Sequence, residues 1–172
     1  MDGSQVIPDL LLVDYARLSE LLNDESFWKT PGPLYSILLI TKNGSVLAHA
    51  YTKTPTTRVI RSEATSYSAT FNAYVDSKRA DLTEGITCCT PGQATVITSI
   101  TKHVFLAVTG RTSEPPDSEA NPSSASSTSD LEIRADEPGL PQDELDDLLS
   151  VSDELTSLLR VELSTMLWPE DF

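Results

Sequence analysis

Apolar residues along this chain change their spacing several times, and each change predicts a new element. Between Asp9 and Asn23, Leu11, Tyr15, Leu18 and Leu22 recur at intervals of four, three and four, which places them on one face of an amphipathic helix. Pro8 suits the first helical position, where no backbone donor is required. The helix should fade at Asn23–Asp24, and Pro31-Gly32-Pro33 is a breaker. Two runs rich in strand formers follow, Leu34–Thr41 and Ser45–Thr52, joined through Asn43-Gly44. That dipeptide tolerates the positive φ of a tight hairpin turn, so the two runs predict a β-hairpin.

Thr54-Pro55 opens a second helix over about residues 56–78. Ile60, Ala64, Tyr67, Phe71 and Tyr74 repeat at four, three, four and three and form its buried stripe. A neighbouring stripe holds only small side chains: Ser62, Ser66, Ala69 and Ala73. Such a stripe lets another element approach the helix backbone closely, and a second helix from another subunit fits it. Three strands are expected at Leu82–Cys89, Ala94–Ile100 and His103–Thr109, with turns at Pro91-Gly92 and Thr101-Lys102. The first of these is the least apolar and suits a sheet edge. Residues 111–140 are rich in Ser, Pro and acid with few apolar groups, so they cannot offset their ordering entropy and read as a disordered insertion. A last helix is expected over Gln142–Leu167, with Leu145, Leu148, Leu155, Leu159, Leu163 and Met166 on one side. Asp143 and Glu144 fall in its first turn, where the helix dipole favours negative charge. Pro169 ends it.

The order is helix, two strands, helix, three strands, helix. The economical solution is an α+β domain over residues 8–168, a five-stranded antiparallel sheet between one helix and two.

Charge sharpens this picture. The net charge is −14, but residues 1–110 hold 10 acidic and 9 basic side chains, while residues 111–172 hold 16 and 3. An almost neutral body therefore carries an acidic remainder, which argues against nucleic acid and against direct docking on anionic lipid. The adjacent Cys88 and Cys89 point to opposite faces of a strand and offer no disulfide framework, which suits a reducing compartment. No secretory signal, membrane-spanning run or lipidation motif is expected from the sequence, so membrane residence would depend on a partner.

Candidate chemistry is sparse. His49 and His103 both fall in expected strands, and no Cys-His signature surrounds Cys88 or Cys89. One thiol should face inward and the other outward. The seven glycines make no phosphate-binding loop, and Asn43-Gly44-Ser45, although a glycosylation sequon, is explained by the turn. The cluster Asp143, Glu144, Asp146 and Asp147 lacks calcium-loop spacing and reads as a solvated helix face. No catalytic, cofactor or metal site is expected.

Four strings, in this order, resemble the roadblock/light-chain-seven family: SILLITKNGSVLAHAYT (Ser36–Thr52), SATFNAYVDSK (Ser68–Lys78), CTPGQATVITSITKHVFLAVTG (Cys89–Gly110) and LLRVELSTMLW (Leu158–Trp168). Within it they look most like the roadblock subunit of the Ragulator (LAMTOR) scaffold, the fungal EGO complex counterpart. The insertion at 111–140 departs from the compact members. The resemblance implies a non-catalytic adaptor that heterodimerises with a second roadblock subunit, sheet edge to sheet edge, with the second helices packed across the seam. Here that seam would involve Ser62, Ser66, Ala69, Ala73, Leu82 and Ile86. The implied partners are Rag-type GTPases and a lipid-anchored scaffold subunit at the lysosomal, vacuolar or late endosomal membrane, in amino-acid signalling to TOR complex 1. Two alternatives are a dynein light-chain cargo adaptor with the same fold, and a small-molecule sensor domain.

Overall fold

The computed structural model describes residues 14–28, 33–76, 85–111 and 140–165. The expectations placed on Pro8, Leu11, Leu82, Met166 and Pro169, and on the interior of the 111–140 insertion, fall outside these residues. At the insertion's borders, Arg111 ends a strand and Leu140 is buried in the core.

Helix α1 spans Tyr15–Leu22, and the part of the expected Asp9–Asn23 helix before Asp14 lies outside the described residues. Asp14 sits outside helical geometry and caps α1: its carboxylate accepts the Arg17 N–H at 3.0 Å, satisfying a donor the first turn leaves free. Leu18 and Leu22 are fully buried, each worth about 1.5–3 kcal/mol. Tyr15, assigned to the same stripe, is instead 56% exposed, because at the helix start it stands beyond the sheet's apolar face. A single-turn helix, α2 (Glu25–Trp28), was not expected; the Trp28 indole donates to the Leu22 carbonyl at 2.9 Å and Phe27 is buried.

Strands β1 (Leu34–Thr41) and β2 (Val46–Tyr51) form the expected hairpin, with Gly44 at φ 86° in the turn. A bulge at Leu47 shifts the register, so that Ala48 faces Leu39 and Val46 faces Ile40. Helix α3 spans Thr57–Asp76. It is held on the hairpin turn by the Lys42 carbonyl, which accepts from Ser68 Oγ at 2.5 Å and Asn72 Nδ2 at 3.0 Å. Strands β3 (Ile86–Thr90), β4 (Gln93–Ser99) and β5 (Val104–Arg111) follow, with Gly92 at φ 70° between the first two. His103 lies in the turn before β5 rather than in the strand, since its carbonyl accepts from Lys42 N–H and closes the sheet end. Helix α4 spans Gln142–Ser164.

The five strands form one antiparallel sheet in the order β2-β1-β5-β4-β3. Alternation divides its side chains between two cores. Ile37, Leu39, Val96, Leu106 and Val108 pack under α1 and α4 with Leu18, Leu148, Leu155 and Leu159. Leu38, Ile40, Ile97 and Phe105 pack under α3 with Ile60, Ala64 and Phe71. The architecture is thus the expected sheet between one helix and two. Edges β2 and β3 are each paired on one side only among the described residues.

Candidate functional site

The buried stripe of α3 fixes which way the rest of that helix faces. With Ile60, Ala64, Ser68 and Phe71 against the sheet, Ser62, Ser66, Ala69 and Ala73 all lie exposed on its outer side. The structure therefore brings these four candidate residues together in one small-residue strip. Ile86, the fifth, is half-buried on β3 and packs into the core beneath α3. Cys88 follows it on the same face, half-buried, while Cys89 points to the other face and is exposed, as the alternation requires. Beside these residues runs the outer edge of β3, which among the described residues pairs with no further strand and so turns the N–H and C=O of every second residue outward.

Between α3 and the β3–β4 pair lies a groove of about 400 Å³ with Glu63, Tyr67, Cys88, Gln93 and Thr95 on its walls and Ser62 and Ser66 at its rim. No pattern along the chain announces it. Its floor belongs to a polar row crossing all five strands on the α3 side. Tyr51 of β2 faces Ser36 of β1, Ser36 faces Thr109 of β5, Thr109 faces Thr95 of β4, and Thr95 faces Cys88 of β3. The row is knitted together by the Thr95 and Thr109 hydroxyls at 3.0 Å and by the Tyr67 hydroxyl, 3.0 Å from Thr109 Oγ1.

Glu63 and Arg111 close the row at its β2 side. The Tyr51 phenol donates to Glu63 Oε2 at 2.8 Å, and the Arg111 guanidinium stands 3.9 Å from the other carboxylate oxygen. That guanidinium also lies 3.5 Å over the Tyr35 ring, and its Nε donates to Gln93 Oε1 at 3.0 Å. Burial, then the Glu63 carboxylate, pushes the Tyr51 phenol well above its usual range. Burial likewise raises Tyr67, opposed by its bond to Thr109, and raises the Cys88 thiol with help from Cys89. The Tyr51 phenol is thereby kept as a hydrogen-bond donor to Glu63.

His49 is exposed on β2, and His103 lies on the turn before β5. Asp143 and Glu144 occupy the first turn of α4 as expected. Among the described residues no group of three or more His, Cys, Asp or Glu side chains converges as a metal site, and no helix is long and apolar enough to cross a membrane.

No protein-family model matches the sequence, and no curated protein matches it either. The fold does have solved counterparts. The gliding protein MglB of Thermus thermophilus superposes with a TM-score of 0.58 at 17% identity, over 93% of this chain and 99% of that one. An MglB solved in a tetrameric arrangement gives 0.58 at 16% identity, over 93% and 98%. A roadblock/LC7 domain from Streptomyces avermitilis gives 0.55 at 10% identity, over 85% and 97%. At these identities the likeness is one of fold: the chain has the roadblock/LC7 architecture.

Proposed function

We propose that this chain is a non-catalytic adaptor subunit that pairs with a second roadblock-domain protein through α3 and β3. The pair would help hold Rag-type GTPases at the cytoplasmic face of a lysosomal, vacuolar or late endosomal membrane, for amino-acid signalling to TOR complex 1. The observation that carries pairing is the exposed strip Ser62, Ser66, Ala69 and Ala73 lying beside the β3 edge, which is unpaired among the described residues. Strand addition at β3 would satisfy the free backbone groups, and the strip would let a partner helix approach without steric cost. The tetrameric arrangement of one solved MglB lends support to association by this chain as well. The Rag and membrane parts of the reading rest on the sequence resemblance, and a lipid-anchored scaffold subunit would supply the attachment.

The test is co-purification of the tagged full chain from cells that express it, read by mass spectrometry. A second roadblock protein with Rag-type GTPases and a lipidated subunit is the expected outcome. Dynein chains in their place would make the protein a cargo adaptor of the same fold, and recovery of neither set would refute the reading. The polar groove beside β3 favours one rival, a small-molecule sensor. A sensor would show a rise in melting temperature with a small metabolite in the absence of any protein partner.

A further inference from the structure

Three of the chain's twelve Lys and Arg side chains stand together near the sheet edge opposite β3, with an imidazole beside them. Arg58 and Arg61 lie three residues apart in the opening turns of α3, Lys53 lies in the connection that precedes it, and His49 stands on β2. All four are exposed, and among the described residues Lys53, Arg58 and Arg61 have no carboxylate partner. Helix stability does not explain the arginines. The N-terminal end of a helix is its positive end and disfavours cations, and α3 has no acidic residue in its first turn to offset them.

The same place holds a groove of about 410 Å³, lined by Tyr15 of α1, Val46, Leu47 and His49 of β2, and Ile60 and Arg61 of α3. Because α1 and α3 cover opposite faces of the sheet, a groove lined by both runs over the β2 edge itself. Among the described residues that edge is unpaired. Thr52 N–H bonds the Tyr35 carbonyl at 2.9 Å, and bonding alternates along an antiparallel pair, so His49 and Tyr51 direct their backbone N–H and C=O away from β1. The groove thus offers a row of backbone partners, an apolar floor in Tyr15, Val46, Leu47 and Ile60, and a positive rim.

We propose that the β2 edge is a docking site for an extended acidic peptide segment of a partner protein. The segment adds as a sixth strand, its alternate apolar side chains rest on Tyr15 and Leu47, and its carboxylates meet Arg58, Arg61 and Lys53. Charge complementarity selects the occupant: a neutral strand would leave the rim unpaired. The backbone row selects a polypeptide over a lipid headgroup, which has no ladder to offer. The site lies across the sheet from β3 and does not depend on how β3 pairs.

The test is fluorescence anisotropy of the full chain with a labelled peptide of alternating Glu and Val, beside the same peptide with Gln for Glu. The acidic peptide should bind, weaken as salt is raised, and lose about tenfold or more in affinity for R58E/R61E. The Gln peptide should bind no better than that variant does. Circular dichroism reports whether R58E/R61E is folded, and the milder R58Q/R61Q replaces it if not. No binding of the acidic peptide, or equal binding by wild type and variant, overturns the proposal. So does adsorption to phosphatidylserine vesicles without peptide binding, which would make the patch a membrane contact. Tighter binding of a peptide spanning this chain's own residues 112–136 than of the Glu-Val peptide would make the occupant intramolecular, and would also overturn it.

Discussion

The Tyr51 phenol donates to the Glu63 carboxylate at 2.8 Å, and this contact ties the outermost strand to the helix above it. Burial and this bond both favour the neutral phenol in the fold, so Tyr51 ionises above its ordinary 10.0. A group raised in this way contributes stability that is complete below the unfolded value and drains away as pH climbs through about 10 toward the folded one. Denaturant unfolding should therefore show stability falling above pH 10. Tyr51→Phe should lose about 0.5–1.5 kcal/mol at pH 7 and show a shallower alkaline fall. The fall will not vanish, because Tyr67 is raised in the same direction. An alkaline slope identical in wild type and Tyr51→Phe would contradict this.

Phe71 of α3 stacks on Phe105 of β5, with ring centroids 4.7 Å apart and planes 16° from parallel. Phe105 is completely buried and Phe71 nearly so. Phe105→Ala should cost about 3–5 kcal/mol by the lost transfer energy and the cavity left behind. The midpoint of chemical unfolding reads this directly, and a cost below about 1 kcal/mol would mean that α3 closes the cavity by moving inward.

Gly110 illustrates a tighter constraint. A Cβ built there would stand 3.1 Å from Leu140 Cδ1 and 3.3 Å from both methyl carbons of Leu148. Gly110→Ala should therefore destabilise by about 1–3 kcal/mol if the packed Leu140 and Leu148 side chains cannot give by the few tenths of an ångström the methyl needs. Combining it with Leu148→Ala, which removes the obstacle on α4, should cost less than the sum of the two single changes. Simple additivity would show that Gly110 does not meet α4 in solution.

Ala69→Arg tests the pairing surface. Ala69 and Ala73 are exposed, so in the isolated protein the new guanidinium stays hydrated and circular dichroism and melting should barely change. In a paired state the charge must be desolvated, at a cost of several kcal/mol, enough to cancel a moderate interface. Light scattering should report loss of the heterodimer, or of self-association by the chain alone. Retained pairing would move the seam elsewhere, and unfolding would make this face part of the core.

Local pattern carried most of the fold. Leu34–Thr41 reads as a strand from its residue types and forms one over the same span, and the stripe Ile60, Ala64 and Phe71 sets the orientation of α3. The exposed strip followed from that orientation, because the helix period places Ser62, Ser66, Ala69 and Ala73 beside the stripe. The polar row from Tyr51 to Cys88 was not legible. Its members lie on five strands whose neighbours are set by the order β2-β1-β5-β4-β3, and no single strand records which residue it will face. Glu63 and Arg111 were missed for the same reason: their meeting depends on where the end of β5 arrives beneath α3. The start of α1 at Tyr15 did have a local signal in the capping residue Asp14, but the apolar period running through Leu11 outweighed it.

The strand order also governs how the molecule can be assembled. The middle of the sheet is β1 against β5, with Ile37 opposite Val108, two segments made far apart in time during synthesis. The β1–β2 hairpin can close early because it needs only its own turn, whereas the central ladder must wait for β5, with the loop-closure entropy that distant pairing demands. Until then β1, buried on both faces in the finished domain, exposes one whole flank to any other nascent strand. The central ladder, and with it the completed sheet, can therefore close only once Arg111 has been made.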